Sequence, residues 1–138
     1  MKVFVYYIGK AKDAHANALA AEYIKRAGYY ATVQMAGIRP ATDLWAKHAS
    51  AKKILLDPAG RSLDSKGFAE IFAKAEMLGH DLVFAIGGHD GLPDAWRARA
   101  DLLLSLSAMT MPHELARAVL AEQIYRAFAI LRGHPYPR

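Results

Sequence analysis

The sequence predicts an α/β protein of three layers, a mostly parallel β-sheet with helices packed on both faces. Segments rich in Val, Ile and aromatic residues alternate with segments of helical periodicity along the whole chain, the order that builds βαβ units. The stretch that follows Asp81, Leu82 to Ile86, is continuously apolar, as a strand must be when helices cover both faces of its sheet. A length of 138 residues suits a single core, so one domain is expected to span residues 1–138.

Lys2 to Ile8 (KVFVYYI) is dense in Val and aromatic residues and predicts a buried first strand ended by Gly9. Asp13 can cap a helix that runs to about Ala27, with Leu19, Tyr23 and Ile24 on its inner face and Gly28 after it. Ala31 to Met35 forms a short second strand. AGIRPATD at 36–43 is loop, and Thr42 or Asp43 caps a brief helix over 44–48. The third strand is KILLD at 53–57, stopped by Pro58 and Gly60.

In the second half Ser65 is the expected N-cap of a helix through about Leu78. Phe68, Ile71, Phe72 and Ala75 share its inner face, and Gly79 ends it. The fourth strand, at 81–86, runs into Gly87, Gly88, His89, Asp90 and Gly91. Pro93 begins a short helix to about Ala98, and Leu102 to Leu104 is the fifth strand. Pro112 launches a long helix whose apolar positions Leu115, Val119, Leu120, Ile124, Ala127, Phe128 and Leu131 fall at helical spacing.

The excess of five cations is uneven. Residues 1–53 carry nine Lys and Arg against Asp13, Glu22 and Asp43, whereas the remainder carries nine against ten acids. A basic patch of this kind suits a polyanion such as RNA, and suits a solvated surface equally well. No apolar run approaches the roughly 20 residues of a membrane helix. The start MKVFVYYIGK has no small-residue cleavage site, so a cytoplasmic protein is expected. The absence of cysteine excludes disulfides, thiolate zinc sites and thiol catalysis in this chain.

Several catalytic signatures are also missing. His113 and Glu114 begin like a zinc-protease helix, yet Arg117 stands where the second His belongs. Gly87, Gly88 and Gly91 are spaced G-G-x-x-G rather than as a dinucleotide fingerprint, and there is no phosphate loop or nucleophile elbow. No two His residues stand at i, i+4 on a helix, so no metal site is expected.

Two loops remain, each following a buried strand. The Gly87 to Gly91 turn reads either as a tight connection that uses glycine for positive φ or as a place where a ligand lies against bare backbone. Ser105 to Met111 reads either as a turn whose Met109 and Met111 pack in the core or as part of a ligand site. Ligands of open α/β sheets bind at the carboxyl ends of the strands, and both loops lie there.

IGGHDGL at 86–92, LSLSAMTMPHELARAVLAEQIYRA at 104–127 and the terminal GHPYPR at 133–138 together resemble the ribosomal RNA large subunit methyltransferase H family. These are small SPOUT-class enzymes that methylate N3 of a pseudouridine in 23S rRNA, using S-adenosylmethionine. The likeness covers about residues 54–138; the first 53 residues match less well and are shorter than the family pattern, with AGIRPATD in place of a lysine-rich segment. His89 in the glycine turn and Pro137 in the tail also depart from it.

The resemblance implies a trefoil-knotted α/β fold in which the C-terminal helix threads a loop, an outcome that general topology rules would disfavour. It implies a homodimer that acts on 23S rRNA in the large subunit or whole ribosome, without a metal or a membrane. It places the cofactor S-adenosylmethionine against Leu56, Gly87, Leu106, Ser107, Ala108, Met109, Thr110 and Met111. It gives the long helix a role at the subunit interface, through Leu115, Val119 and Phe128. From the tail, Arg138 is expected to orient or stabilise the target base, Tyr136 to stack on or hydrogen-bond it, and His134 to support them, in the pocket of the partner subunit. The competing readings are a ribosome-binding knotted module without catalysis and an unknotted nucleotide-binding enzyme.

Overall fold

The computed structural model describes residues 1–136. Its elements are β1 (Lys2–Tyr7), α1 (Ala14–Ala27), β2 (Thr32–Gly37), α2 (Leu44–Lys47), β3 (Lys52–Ser62), α3 (Ser65–Leu78), β4 (Leu82–Ile86), α4 (Asp94–Arg99), β5 (Leu102–Ser105) and α5 (His113–Leu131). The strands form one sheet in the order β2-β1-β4-β3-β5, and every pairing is parallel. The expected three-layer α/β architecture is present.

The period of two along each strand decides which layer a side chain meets. On β1, Val3 and Val5 face a core shared with Phe68 and Phe72 of α3 and Leu120, Ile124 and Phe128 of α5. Tyr6 faces the other way, toward Leu44 of α2 and Trp96 of α4. Helices α1, α3 and α5 thus make the thick layer and the two short helices the thin one. The aromatic knot of Phe72, Phe84 and Phe128 is wholly buried, each ring worth roughly 1.5–3 kcal/mol of transfer free energy. All five residues of β4 are buried, as its composition requires.

Local chemistry explains the helix ends. The Asp13 carboxylate accepts from the amides of His15 and Ala16, and Asp43 does the same for Trp45 and Ala46, so Asp43 and not Thr42 caps α2. Asp64, not Ser65, caps α3, accepting from Gly67 N at 2.7 Å. Ser65 is the first helical residue, and its hydroxyl reaches Gln123 Oε1 at 2.8 Å on α5. Gly79 ends α3 in the left-handed conformation, φ +71°.

Three further expectations are corrected. Leu19 lies on the outer face of α1, 47% exposed, while the small Ala20 and Ala27 are the buried residues that let α1 approach α5. Strand β3 does not stop at Pro58: it continues to Ser62, with a register shift against β5 between Leu56 and Arg61. A Cβ on Gly60 would stand 2.6 Å from the carbonyl of Leu103, so glycine there permits backbone contact across the shift rather than ending the strand. Phe128 is fully buried inside its own chain and is not available as a subunit contact.

Candidate active site

The middle of β3, where its register against β5 shifts, and the carboxyl ends of β4 and β5 open on one pocket of about 300 Å³. Leu56 and Asp57 come from β3, Ile86 and Gly87 from the end of β4, and Leu104 and Ser105 from β5; the turn 106–111 closes one side. The structure brings Leu56, Gly87, Leu106, Ser107, Ala108, Met109, Thr110 and Met111 to this one pocket. His89, His113 and Ala116 join them.

The two turns hold their shape differently. In the glycine turn, a Cβ on Gly87 would lie 2.6 Å from Gly91 C, and one on Gly88 would lie 2.8 Å from Ile8 O. Glycine is therefore demanded by backbone packing, and only Gly91 uses a positive φ, +74°. In the second turn, Ser105 Oγ donates to Ser107 O at 3.0 Å, and Ser107 Oγ accepts from Met109 N at 2.9 Å. The backbones of Ala108, Thr110 and Met111 have no hydrogen-bond partner among the described residues, which leaves donors and acceptors along the pocket wall. Met109 is 80% exposed and sits at the rim instead of in the core.

Asp57 is the buried charge of the pocket. Its Oδ2 lies 2.5 Å from Arg97 Nη2 on α4, and its Oδ1 accepts from Ala59 N at 2.9 Å, which bends β3 past Pro58. Behind the pocket stands a node that sequence reasoning missed. Arg117 has no exposed side chain; it lies over the Tyr7 ring at 3.9 Å and donates to Ile8 O and Lys10 O at 3.4 Å. Glu114, one turn earlier, accepts from the amides of Lys12 and Asp13 and from Asn17 Nδ2. Those bonds hold the Glu114 carboxyl down at about 2, the Asn17 bond contributing most. The first turn of α5 thus clamps the loop between β1 and α1. The signal was legible: Arg117 precedes Leu120 and Ile124 by three and seven residues, on the buried stripe.

The tail lies elsewhere. Tyr136 donates to Glu122 Oε2 at 3.0 Å, meets Tyr23 Oη at 3.1 Å and stands edge-on to Tyr125 at 4.7 Å. His134 is edge-on to Tyr30 at 6.5 Å. Neither lines the pocket of its own chain. Arg138 lies outside the described residues.

A family model described as "Predicted SPOUT methyltransferase" matches residues 1–137, which defines the class and carries the similarity through the N-terminal residues as well as 54–138. The ribosomal RNA large subunit methyltransferase H of Solibacter usitatus is 65% identical over 139 residues, covering all of both chains. Proteins of the same name from Rhizobium etli and Thermus thermophilus are 38% and 37% identical, covering all of this chain and 99% of theirs. Among solved structures, the TrmH/SpoU tRNA modifying enzyme of A. aeolicus superposes with a TM-score of 0.59 at 13% identity, over 96% of this chain and 77% of that one. The SpoU methyltransferase AviRb of Streptomyces viridochromogenes, in complex with AdoMet, gives 0.53 at 13% identity, over 91% and 59%. The chain belongs to the SPOUT methyltransferases and, within them, to the ribosomal RNA large subunit methyltransferase H family. No helix among the described residues is long and apolar enough to cross a membrane.

Proposed function

We propose that this protein transfers a methyl group from S-adenosylmethionine to N3 of a pseudouridine in 23S rRNA, acting on the large subunit or whole ribosome. The observation that carries the reading is the meeting of the irregular middle of β3, the ends of β4 and β5 and two turns around a pocket whose walls are apolar side chains and unpaired backbone. Such a wall suits the donor: Leu56, Leu106 and Met111 can enclose an adenine while the backbones of Ala108, Thr110 and Met111 read its edge. When bound, the donor supplies a methyl group on a cationic sulfur, reactive without a metal.

The protein's own part is to shield the methyl group from water, hold the base in line and favour loss of its N3 proton to solvent. A guanidinium beside the ring nitrogen stabilises the anion, and Arg138 is the residue assigned that role. Tyr136 stacks on or hydrogen-bonds the base, with His134 in support. Because the described tail lies away from its own pocket, the tail acts in the partner subunit of a homodimer, and the C-terminal helix threads the loop that makes the trefoil knot. The relatives' names and the family support this reading, which the following experiment tests. Large subunits from cells lacking the gene are incubated with the protein and methyl-labelled donor, and the rRNA nucleosides are analysed by mass spectrometry. One N3-methylpseudouridine per subunit is expected; no label in rRNA, with donor binding intact by calorimetry, refutes the substrate.

A further inference from the structure

At the far end of α5 from the pocket, roughly 28 Å along that helix, lies a notch of different chemistry. It encloses about 320 Å³ and is lined by Arg26, Tyr29, Tyr30, Tyr125 and His134. Every lining side chain is an aromatic ring, an imidazole or a guanidinium. One wall is rigid: Tyr30 stacks on the buried Phe128 at 6.1 Å and tilts against Tyr125 at 6.2 Å. The other wall is Tyr29, which stands edge-on to Tyr30 at 5.2 Å and leaves 87% of itself in solvent. Arg26 lies at the rim, held by Glu22 at 3.0 Å and poised over Tyr23 at 5.1 Å, with Lys25 exposed beside it.

So large an exposed aromatic surface next to cations has no role in the core. It has the make-up of a stacking platform for single-stranded nucleic acid, where flat rings take the bases and cations take the phosphates. We infer that this notch binds one unstacked base of single-stranded RNA on the exposed face of Tyr29, which Tyr30 props edge-on, with Arg26 and Lys25 on the adjoining backbone. It is a second RNA contact, remote from the pocket of its own chain and sequence-tolerant, since every base offers a π-face. For its partner the inference rests on the ribosomal RNA reading; for its location it rests on the notch alone. The competing occupant is a second copy of this chain, which would bury Tyr29 between subunits.

The test uses a fluorescently labelled oligouridine hexamer and the full-length protein. Tyr29→Ala and Arg26→Gln should each weaken hexamer binding about tenfold, Tyr29→Phe should bind as the parent does, and all three should keep the parent's affinity for S-adenosylmethionine. Tyr29 is solvent-exposed, so its loss should leave the melting temperature unchanged, and light scattering should find the oligomeric state unchanged. If the parent fails to bind the hexamer, or Tyr29→Ala binds it as tightly as the parent, the notch is not an RNA site. If Tyr29→Ala alters the oligomeric state while RNA affinity is unchanged, the notch is a subunit contact. Should the protein methylate no ribosomal particle while Tyr29→Ala still loses the hexamer, the substrate reading falls and the notch stands.

Discussion

Glu114 shows how a single side chain ties the pocket to the rest of the molecule. Its carboxylate accepts from Asn17 and from the amides of Lys12 and Asp13, and it is partner to the buried Arg117 at 3.7 Å. With the folded carboxyl at about 2 and its ordinary value at 4.5, the bonds favour the folded state fully above pH 4.5 and stop doing so as pH falls toward 2. Urea unfolding between pH 6 and pH 2.5 should show stability falling with pH, and Glu114→Gln should flatten part of that fall. A variant with the parent's slope would mean that the carboxylate is not the titrating group. Arg117 is the harder residue: wholly buried, its Nε lacks a partner, and burial lowers its pKa. Neutralising Glu114 therefore leaves a buried cation less compensated, so Glu114→Gln should also be less stable at pH 7.

At the scale of elements, β3 is the most instructive. A proline and a glycine after KILLD have the local chemistry of a stop, yet the strand resumes because β5 lies close enough to pair with Arg61 and Ser62. That closeness depends on Gly60. Gly60→Ala places a methyl group 2.6 Å from the Leu103 backbone and should destabilise by about 2–3 kcal/mol, with a loss of cofactor affinity because Leu56 and Asp57 move. Gly79→Ala meets no atom within 4 Å and suffers only its left-handed backbone, so about 1–2 kcal/mol and no change in affinity are expected. Thermal melts and donor titrations of the two variants distinguish them. The same contrast explains what could be read from the sequence. Caps such as Asp13 and Asp43, the Gly79 stop and the buried run of β4 depend on neighbours in sequence, and were legible. The continuation of β3 and the outward turn of Leu19 depend on residues far along the chain. The eight pocket residues were legible through a family resemblance, because nothing in their own chemistry says that three separate strands bring them together.

For the whole molecule, the arrangement of α5 sets the problem. The helix begins against the pocket at His113 and ends some 28 Å away, where Tyr136 turns back onto Tyr23 and Glu122. A tail that acts on the base must therefore serve another chain's pocket, and a two-fold dimer in which each subunit completes its partner's site meets that need. Leu19 and Leu115, apolar and 47% and 43% exposed on α1 and α5, are surfaces such a dimer can cover. Complementation decides the matter. Arg138→Ala should bind the donor and lose most turnover; Leu106→Arg, which puts a charge into the pocket wall, should lose the donor and keep an intact tail. Each alone is then inactive. Unfolded and refolded together in equal amounts, they should regain about a quarter of the parent rate, since half the dimers are mixed and each mixed dimer has one pocket with one good tail. If each tail served its own pocket, no mixed dimer would contain a complete site and the mixture would stay as inactive as its parts.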